Sequence, residues 1–228
     1  MTAPATSPEK YRIDFTKSHT VYKNLGGDRV PGVTTVLGML NKPALLKWAW
    51  QMGKDGKELE AVRQGAADIG TVAHALCEAY LRGMALDSSN ITPEVLSRAE
   101  TGFLRFLDFW DREGLKVVAV ELVMVSEMMQ VGGTLDVLAE RPDGRLVVVD
   151  LKTSKGIYDE MLVQVATYAA MFEEGSQRKV DDVYVVRIGK EDADDLEIRQ
   201  VAQRAERVAA FTALASARRL LQKAGMRV

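Results

Sequence analysis

The sequence predicts an α/β fold: a mixed central β-sheet flanked by helices, with a helical elaboration on its N-terminal side. Three observations lead there. Three strand-like runs, 116–125, 130–140 and 145–152, follow one another across short turns, as in a meander. A helical pattern over 159–173 comes next, and after it a β-branched run at 180–188 that contains Val183, Tyr184, Val185 and Val186. A strand, a crossover helix and a second strand place the two strands side by side and parallel, so a sheet that begins antiparallel ends mixed.

The elements before and after this core follow in order. Residues 1–10, with Thr, Ala, Pro and Ser, read as a flexible tail, and 11–228 as one domain: an N-terminal arm and helical part over 11–115, then the α/β core and a basic C-terminal helix over 116–228. The arm, 11–23, is expected to form a short hairpin or extended segment. Thr34 or Thr35 is placed to cap a first helix, and Pro43 suits the first turn of a second that runs to about 52. Gly65 and Gly70 punctuate the approach to a third helix, which carries His74 and ends near Gly83. Thr92-Pro93-Glu94 is a cap, proline and acid opening a helix to Gly114, along which Phe103, Leu104, Phe106, Leu107 and Trp110 recur at core-facing spacing. Beyond the 180–188 strand, 196–201 adds an edge strand. A final helix packs Val201, Val208, Phe211, Leu214 and Leu221 in one stripe and turns its arginines outward.

Composition narrows the class. With 228 residues, 47% of them hydrophobic, the chain can bury a proper core. Its single cysteine, Cys77, excludes a disulfide framework and any cluster held by four cysteines of one chain. The N-terminal tail is followed by no apolar stretch of the secretory kind, so the expected location is cytoplasmic and no membrane partner is expected. A net charge of −2 argues against coating nucleic acid through bulk electrostatics. Charge is concentrated locally instead: 199–228 holds seven basic residues against one acid, while Glu191, Asp192, Asp194, Asp195 and Glu197 read as a solvated loop.

The most informative stretch is Leu146-Val147-Val148-Val149-Asp150-Leu151-Lys152-Thr153, an apolar strand that runs into an acid and a lysine. Burying such charges without partners costs several kcal/mol, on the order of a whole side chain's burial. The turn before it, Arg141-Pro142-Asp143-Gly144-Arg145, fixes the pairing, because proline presets one φ and glycine supplies a positive one. If Arg141 faces Arg145, five steps back along each strand set Asp136 opposite Asp150. Lys152, two residues further, joins that face. Opposed Cβ atoms lie about 4.5–5.5 Å apart, so the two carboxylates repel unless a cation sits between them. Asp143, the acid that a literal Pro-Asp motif would choose, belongs to the turn and lies too far from Asp150 to share an ion. Oxygen ligands suit Mg²⁺ or Mn²⁺, one ion or two. For an Asp-x-Lys alone, a cross-strand ion pair on a polar face is the simpler explanation.

Two further motifs change that balance. Gly70-Thr71-Val72-Ala73-His74 has the form GxxxH, and Gln164-Val165-Ala166-Thr167-Tyr168 has the form QxxxY, in that order around the Asp-x-Lys strand. Together these residues resemble the PD-(D/E)XK nuclease superfamily in its RecB-like exonuclease branch. Val30-Pro31-Gly32-Val33-Thr34-Thr35-Val36-Leu37 is similar to the opening segment of phage RecB-like nucleases and mitochondrial genome maintenance exonucleases, with Gly32 in place of the usual serine. The single cysteine separates the chain from the Cas4-type relatives, which carry an iron–sulfur cluster.

The resemblance implies a restriction-endonuclease-like core and a metal-dependent DNA exonuclease in phage or bacterial recombination, repair or end processing. It also implies DNA as substrate and a single-strand annealing or recombination protein as a further partner. Asp136, Asp150, the Leu151 carbonyl and His74 become the expected metal ligands, with Glu121 a weaker candidate placed opposite Thr134 if the loop after Val125 has four residues. Lys152, Gln164 and Tyr168 join Asp136 and Asp150 as the expected catalytic set. Thr34, Thr35, Trp48, Arg204, Arg207, Arg218 and Arg219 are DNA-binding candidates, and Trp50 shares with Trp48 the capacity to stack on bases. A structure-specific or restriction-like endonuclease and a non-catalytic DNA-binding recombination module are the alternatives. His19 sits in no motif.

Overall fold

The computed structural model describes residues 10–13, 20–40, 43–56, 58–189 and 196–228. Most of the N-terminal tail, His19 and most of the acidic run at 190–197 lie outside these residues. A five-stranded sheet organises the chain in the order β5 (Lys116–Ser126), β6 (Val131–Glu140), β7 (Leu146–Lys152), β8 (Asp182–Ile188) and β9 (Leu196–Gln200). β5–β6, β6–β7 and β8–β9 are antiparallel, and β7–β8 is parallel across the crossover helix α5 (Asp159–Ser176). The sheet is mixed as predicted, and the strand bearing Asp150 is its middle one. β7 is buried along nearly its whole length, as its unbroken valine run requires.

Two apolar layers close on the sheet. On one face α5, α1 (Val33–Leu37) and α6 (Arg204–Lys223) cover Leu135, Leu138, Val148, Val183 and Val185. On the other, α3 (Leu59–Leu81) and α4 (Pro93–Glu113) cover Val137, Val147, Val149, Leu151 and Val186. α4 follows its sequence signals closely: the Thr92 hydroxyl accepts from the Val95 amide, and Gly114 closes the helix at φ +62. Phe106 and Trp110 enter the core with Phe109, whereas Leu104 points to solvent, off the stripe assigned to it.

Several local expectations are corrected. Among the described residues of the 11–23 arm the pairing is with other segments: β1 (Lys10–Tyr11) lies parallel to β4 (Ala85–Leu86), and β2 (Tyr22–Lys23) pairs with β3 (Arg29–Val30). Gly32, not Thr34 or Thr35, occupies the cap position of α1. α2 (Pro43–Lys54) runs slightly past its predicted end. α3 passes through Gly65 and Gly70 without a break, because packing outweighs the roughly 1 kcal/mol that a helical glycine costs. The arginines of α6 do not turn outward. Arg204 donates to the Val180 carbonyl and pairs with Glu173, Arg207 donates to the Ala202 carbonyl, Arg218 to that of Val228, and Arg219 to that of Met129. A guanidinium presents five donors, and here these reach backbone carbonyls of neighbouring segments.

Candidate active site

The hairpin register is the one the turn predicts. The Arg141 amide donates to the Arg145 carbonyl at 2.9 Å, and the ladder runs from Glu140↔Leu146 back to Val137↔Val149. Asp136 and Asp150 are the next step, and there the regular pairing stops. The Asp136 carboxylate enters the opening and accepts from the Leu151 amide at 2.8 Å, in place of a backbone carbonyl. The two acids thus meet in a split between β6 and β7 rather than on one flat sheet face.

The split has a cause in β5 and β6. Leu135 and Leu138, three residues apart, both join the layer under α5, although alternation would send them to opposite faces. Ala119 and Leu122 do the same on β5. Both strands therefore roll over at one step, which lies between Val120↔Val137 and Leu122↔Leu135 and holds Glu121 and Asp136. Glu121 sits at φ +52, a left-handed conformation unusual for a side chain of its size. This corrects its expected partner. Thr134 pairs with Val123, because the turn spans 127–130, and Glu121 is brought to Asp136 directly.

Asp150 is fully buried. Its Oδ2 pairs with the Lys152 ammonium, while Oδ1 has no hydrogen-bond partner. Burial pushes its pKa up to about 6, with Asp136 adding to the rise and Lys152 and His74 opposing it. Burial likewise raises Asp136, against the pull of Lys152 and the Leu151 amide. Burial disfavours the Lys152 charge, yet Asp150 and Asp136 outweigh it and hold the ammonium above its ordinary value. Tyr168 is raised as well, by burial first and then by the two carboxylates, and so keeps its proton.

Helices bring the remaining groups to the split from both sides. From α3, His74 lines a small cavity together with Glu78, Glu121, Asp136 and Leu151. Its volume is about 10 Å³, room for one water or a bare ion. Glu78, four residues after His74 on the same helical face, is a site residue that the motif reading missed; the His74 spacing itself was the available signal. Its Oε2 accepts from the Tyr11 hydroxyl at 2.6 Å, and its Oε1 from Arg82 at 2.8 Å. From α5, the Gln164 amide donates to the Tyr168 hydroxyl at 3.0 Å. Tyr168 lies against Gly133, where a Cβ would come within 2.4 Å of its ring. Tyr22 of β2 lies against Gly132 in the same way and meets the Thr134 hydroxyl at 3.1 Å. The two glycines are therefore the seats of two tyrosines, more than a bulge.

The other candidates lie outside the split. Asp143 is exposed in the turn and paired with Arg145. Thr34 and Thr35 are exposed on α1, Trp48 is half-buried and Trp50 exposed on α2. Arg204 lines a much larger cavity of about 620 Å³ between α5 and α6, to which none of the buried acids contributes.

Asp136, Glu78 and Glu121 bring oxygen donors to a cavity of one ion's size, and Asp150 adds a buried, unpartnered oxygen at the split, a set that a hard divalent cation fits. Among the described residues no three His, Cys, Asp or Glu side chains already converge as a closed cage. The acids are instead compensated by Lys152. A split strand pair that gathers two acids and a lysine, with GxxxH and QxxxY helices on either side, is the decisive arrangement, and the model of the PD-(D/E)XK nuclease superfamily matches residues 45–227. The chain belongs to the PD-(D/E)XK nuclease superfamily.

Among solved structures, this nuclease is similar to a candidate exonuclease from Eubacterium rectale, at 15% identity over 70% of this chain and 69% of that one, with a TM-score of 0.49. It is also similar to an alkaline exonuclease from Laribacter hongkongensis, at 17% identity over 70% and 90% of the two chains, with a TM-score of 0.36. The complex of that enzyme with dAMP gives 16%, 71% and 91%, and a TM-score of 0.35. No curated protein sequence matches the chain. Among the described residues of this superfamily member, no helix is long and apolar enough to cross a membrane.

Proposed function

We propose that this nuclease is a Mg²⁺- or Mn²⁺-dependent DNA exonuclease, acting in the cytoplasm on DNA ends during recombination or repair. One observation carries the reading: a fully buried aspartate with an unpartnered oxygen sits at the strand split beside a second, half-buried aspartate and a lysine. Asp136, Asp150 and the Leu151 carbonyl would hold the ion, with His74 completing the set as a neutral imidazole. Glu121 and Glu78 line the same small cavity as His74 and Asp136 and would add oxygen donors there. When bound, such an ion supplies Lewis acidity toward the phosphodiester and charge to offset the departing oxygen.

The chain's own groups supply the rest. Lys152, held protonated by its two acids, orients the attacking water and counters the charge that grows on the phosphoryl oxygens. Tyr168 keeps its proton and can donate to a phosphate oxygen, and Gln164 fixes the direction of that hydroxyl. The exonucleolytic preference is supported by the pairing of GxxxH and QxxxY motifs, which resembles the RecB-like branch.

End-labelled single- and double-stranded DNA with Mg²⁺ tests the reading, with wild type compared to Lys152→Ala. The expected result is progressive shortening from an end by the wild type and near-complete loss in the variant, with DNA binding retained. Equal cleavage by both proteins removes the role of Lys152. Rapid nicking of supercoiled circular plasmid would replace the exonuclease by an endonuclease on the same fold. Binding without any cleavage would leave a DNA-binding module.

A further inference from the structure

Helix α2 exposes what a globular chain normally hides. Leu46, Trp50 and Lys54 follow one another at four-residue intervals, so they form one row along the helix. Leu46 is 67% and Trp50 62% exposed, and the Lys54 ammonium stands 4.5 Å from the centre of the Trp50 ring. Lys47, three residues before Trp50, is exposed beside them. Trp48, Ala49 and Met52 are half-buried on other sides of the helix. Nothing in the strand split accounts for this face. An indole is among the most costly side chains to leave in water, and here its neighbours are also apolar or cationic.

The charge identifies the occupant. α2 carries two lysines and no acid, in a chain whose net charge is −2. The acid that follows, Asp55, is engaged by the Gln51 amide at 2.8 Å. A protein partner fits this face poorly, because the buried centres of protein interfaces are depleted in lysine. A nucleic-acid strand fits it well: an aromatic ring offers a surface to any base, and cations beside it meet the phosphates on either side. A duplex turns the faces of its bases inward, so a ring on a helix surface reaches them only where the strand is single.

We propose that Leu46, Lys47, Trp50 and Lys54 of α2 form a platform for single-stranded DNA, on which Trp50 stacks a base and the lysines hold the flanking phosphates. α2 packs on α3, the helix that carries His74, so a strand held on it is presented on the α3 side of the catalytic sheet. The proposal rests on the nuclease reading for its substrate and adds the strandedness.

The test measures binding in EDTA, where cleavage plays no part. A fluorescein-labelled homothymidine oligonucleotide and its duplex with homoadenine are titrated with wild type, Trp50→Ala and Trp50→Phe while anisotropy and indole emission are recorded. The expected outcome is quenching of indole emission by the single strand and not by the duplex. Trp50→Ala should lose about tenfold in single-strand affinity, Trp50→Phe much less, and Lys54→Ala should flatten the dependence on salt. Because the side chain stands on an exposed face, circular dichroism should be the same for all variants. Equal single-strand affinity of wild type and Trp50→Ala overturns the proposal. So does equal quenching by duplex, or self-association that disappears in Trp50→Ala with DNA affinity unchanged. The two readings fail separately: Trp50-dependent binding without cleavage at any end removes the nuclease alone, and cleavage without a Trp50 contribution to binding removes the platform alone.

Discussion

At its turn end the β6–β7 hairpin gathers Arg141, Arg145, Glu113 and Asp182; at its open end it gathers Asp136, Asp150 and Lys152. Each set is built around a buried aspartate, Asp182 at the turn and Asp150 at the split, with partners that are half-buried or, in the case of Arg145, exposed. At the turn, Arg141 donates to Glu113 at 2.8 Å, to Asp182 at 3.3 Å and to the Tyr184 hydroxyl at 3.2 Å. Asp182 also accepts from Arg145 and from Gln200 at 2.9 Å, so both of its oxygens are used. At the split, Asp150 keeps an oxygen with no partner, and two acids share one lysine. The contrast distinguishes a structural use of buried charge from a functional one. A completed network stabilises the fold, whereas a buried carboxylate that is ion-paired through only one oxygen costs stability and reserves the other oxygen's lone pairs for a ligand.

Mutation should have opposite consequences at the two ends of the hairpin. Lys152→Ala should cost cleavage roughly 10²–10⁴-fold while single-strand binding in EDTA stays within a factor of two or so of wild type. An active Lys152→Ala would make the split as structural as the turn. At the turn, Arg141→Ala should leave turnover per folded molecule unchanged but destabilise by about 3 kcal/mol, a fall in Tm of about 6–12 °C for a domain of this size. A loss of activity without loss of stability there would dissolve the distinction. Divalent cation should raise the Tm of the wild type, by about 2.7 kcal/mol of stability at a hundred times its Kd, and should not raise that of Asp150→Asn. Calorimetry with Mg²⁺ or Mn²⁺ checks this without reference to activity.

Smaller effects sharpen the boundary of the site. Gly133→Ala places a methyl group 2.4 Å from the Tyr168 ring, and since that ring is enclosed between α5 and the sheet, it must move. The expected result is a fall in kcat larger than the accompanying stability loss of about 1–3 kcal/mol, read by steady-state cleavage alongside thermal melting. Asp143→Ala should change neither activity nor melting, because its carboxylate is solvated and its partner Arg145 also reaches Asp182. A dead Asp143→Ala would return the catalytic acid to the turn.

How much of this was legible depended on whether the signal was local. The strand register followed from one five-residue turn, because proline and glycine restrict φ irrespective of what packs above them, and it carried Asp136 to Asp150 correctly. The cap at Thr92 and the closure at Gly114 were readable for the same reason. Glu121 was misplaced because its position depends on a turn of unmarked length between β5 and β6 and on a roll of both strands. Glu78 was overlooked because an acid one turn after a histidine is common on helices, and its meaning comes from Asp136 and Glu121 converging on the same cavity. The arginines of α6 misled for the opposite reason: a basic helix face looks solvated in sequence, while long guanidinium side chains reach back to carbonyls that only the fold brings near.

By itself the sequence determined the order of elements, the hairpin register, and the motifs that mark the family, since turn stereochemistry and hydrophobic periodicity act over a few residues. Tertiary structure alone decided that β6 and β7 part at Asp136, that Asp150 is buried with an oxygen unpaired, and that Tyr22 and Tyr168 rest on adjacent glycines. These depend on which surfaces exclude water, and burial is a property of the packed chain as a whole.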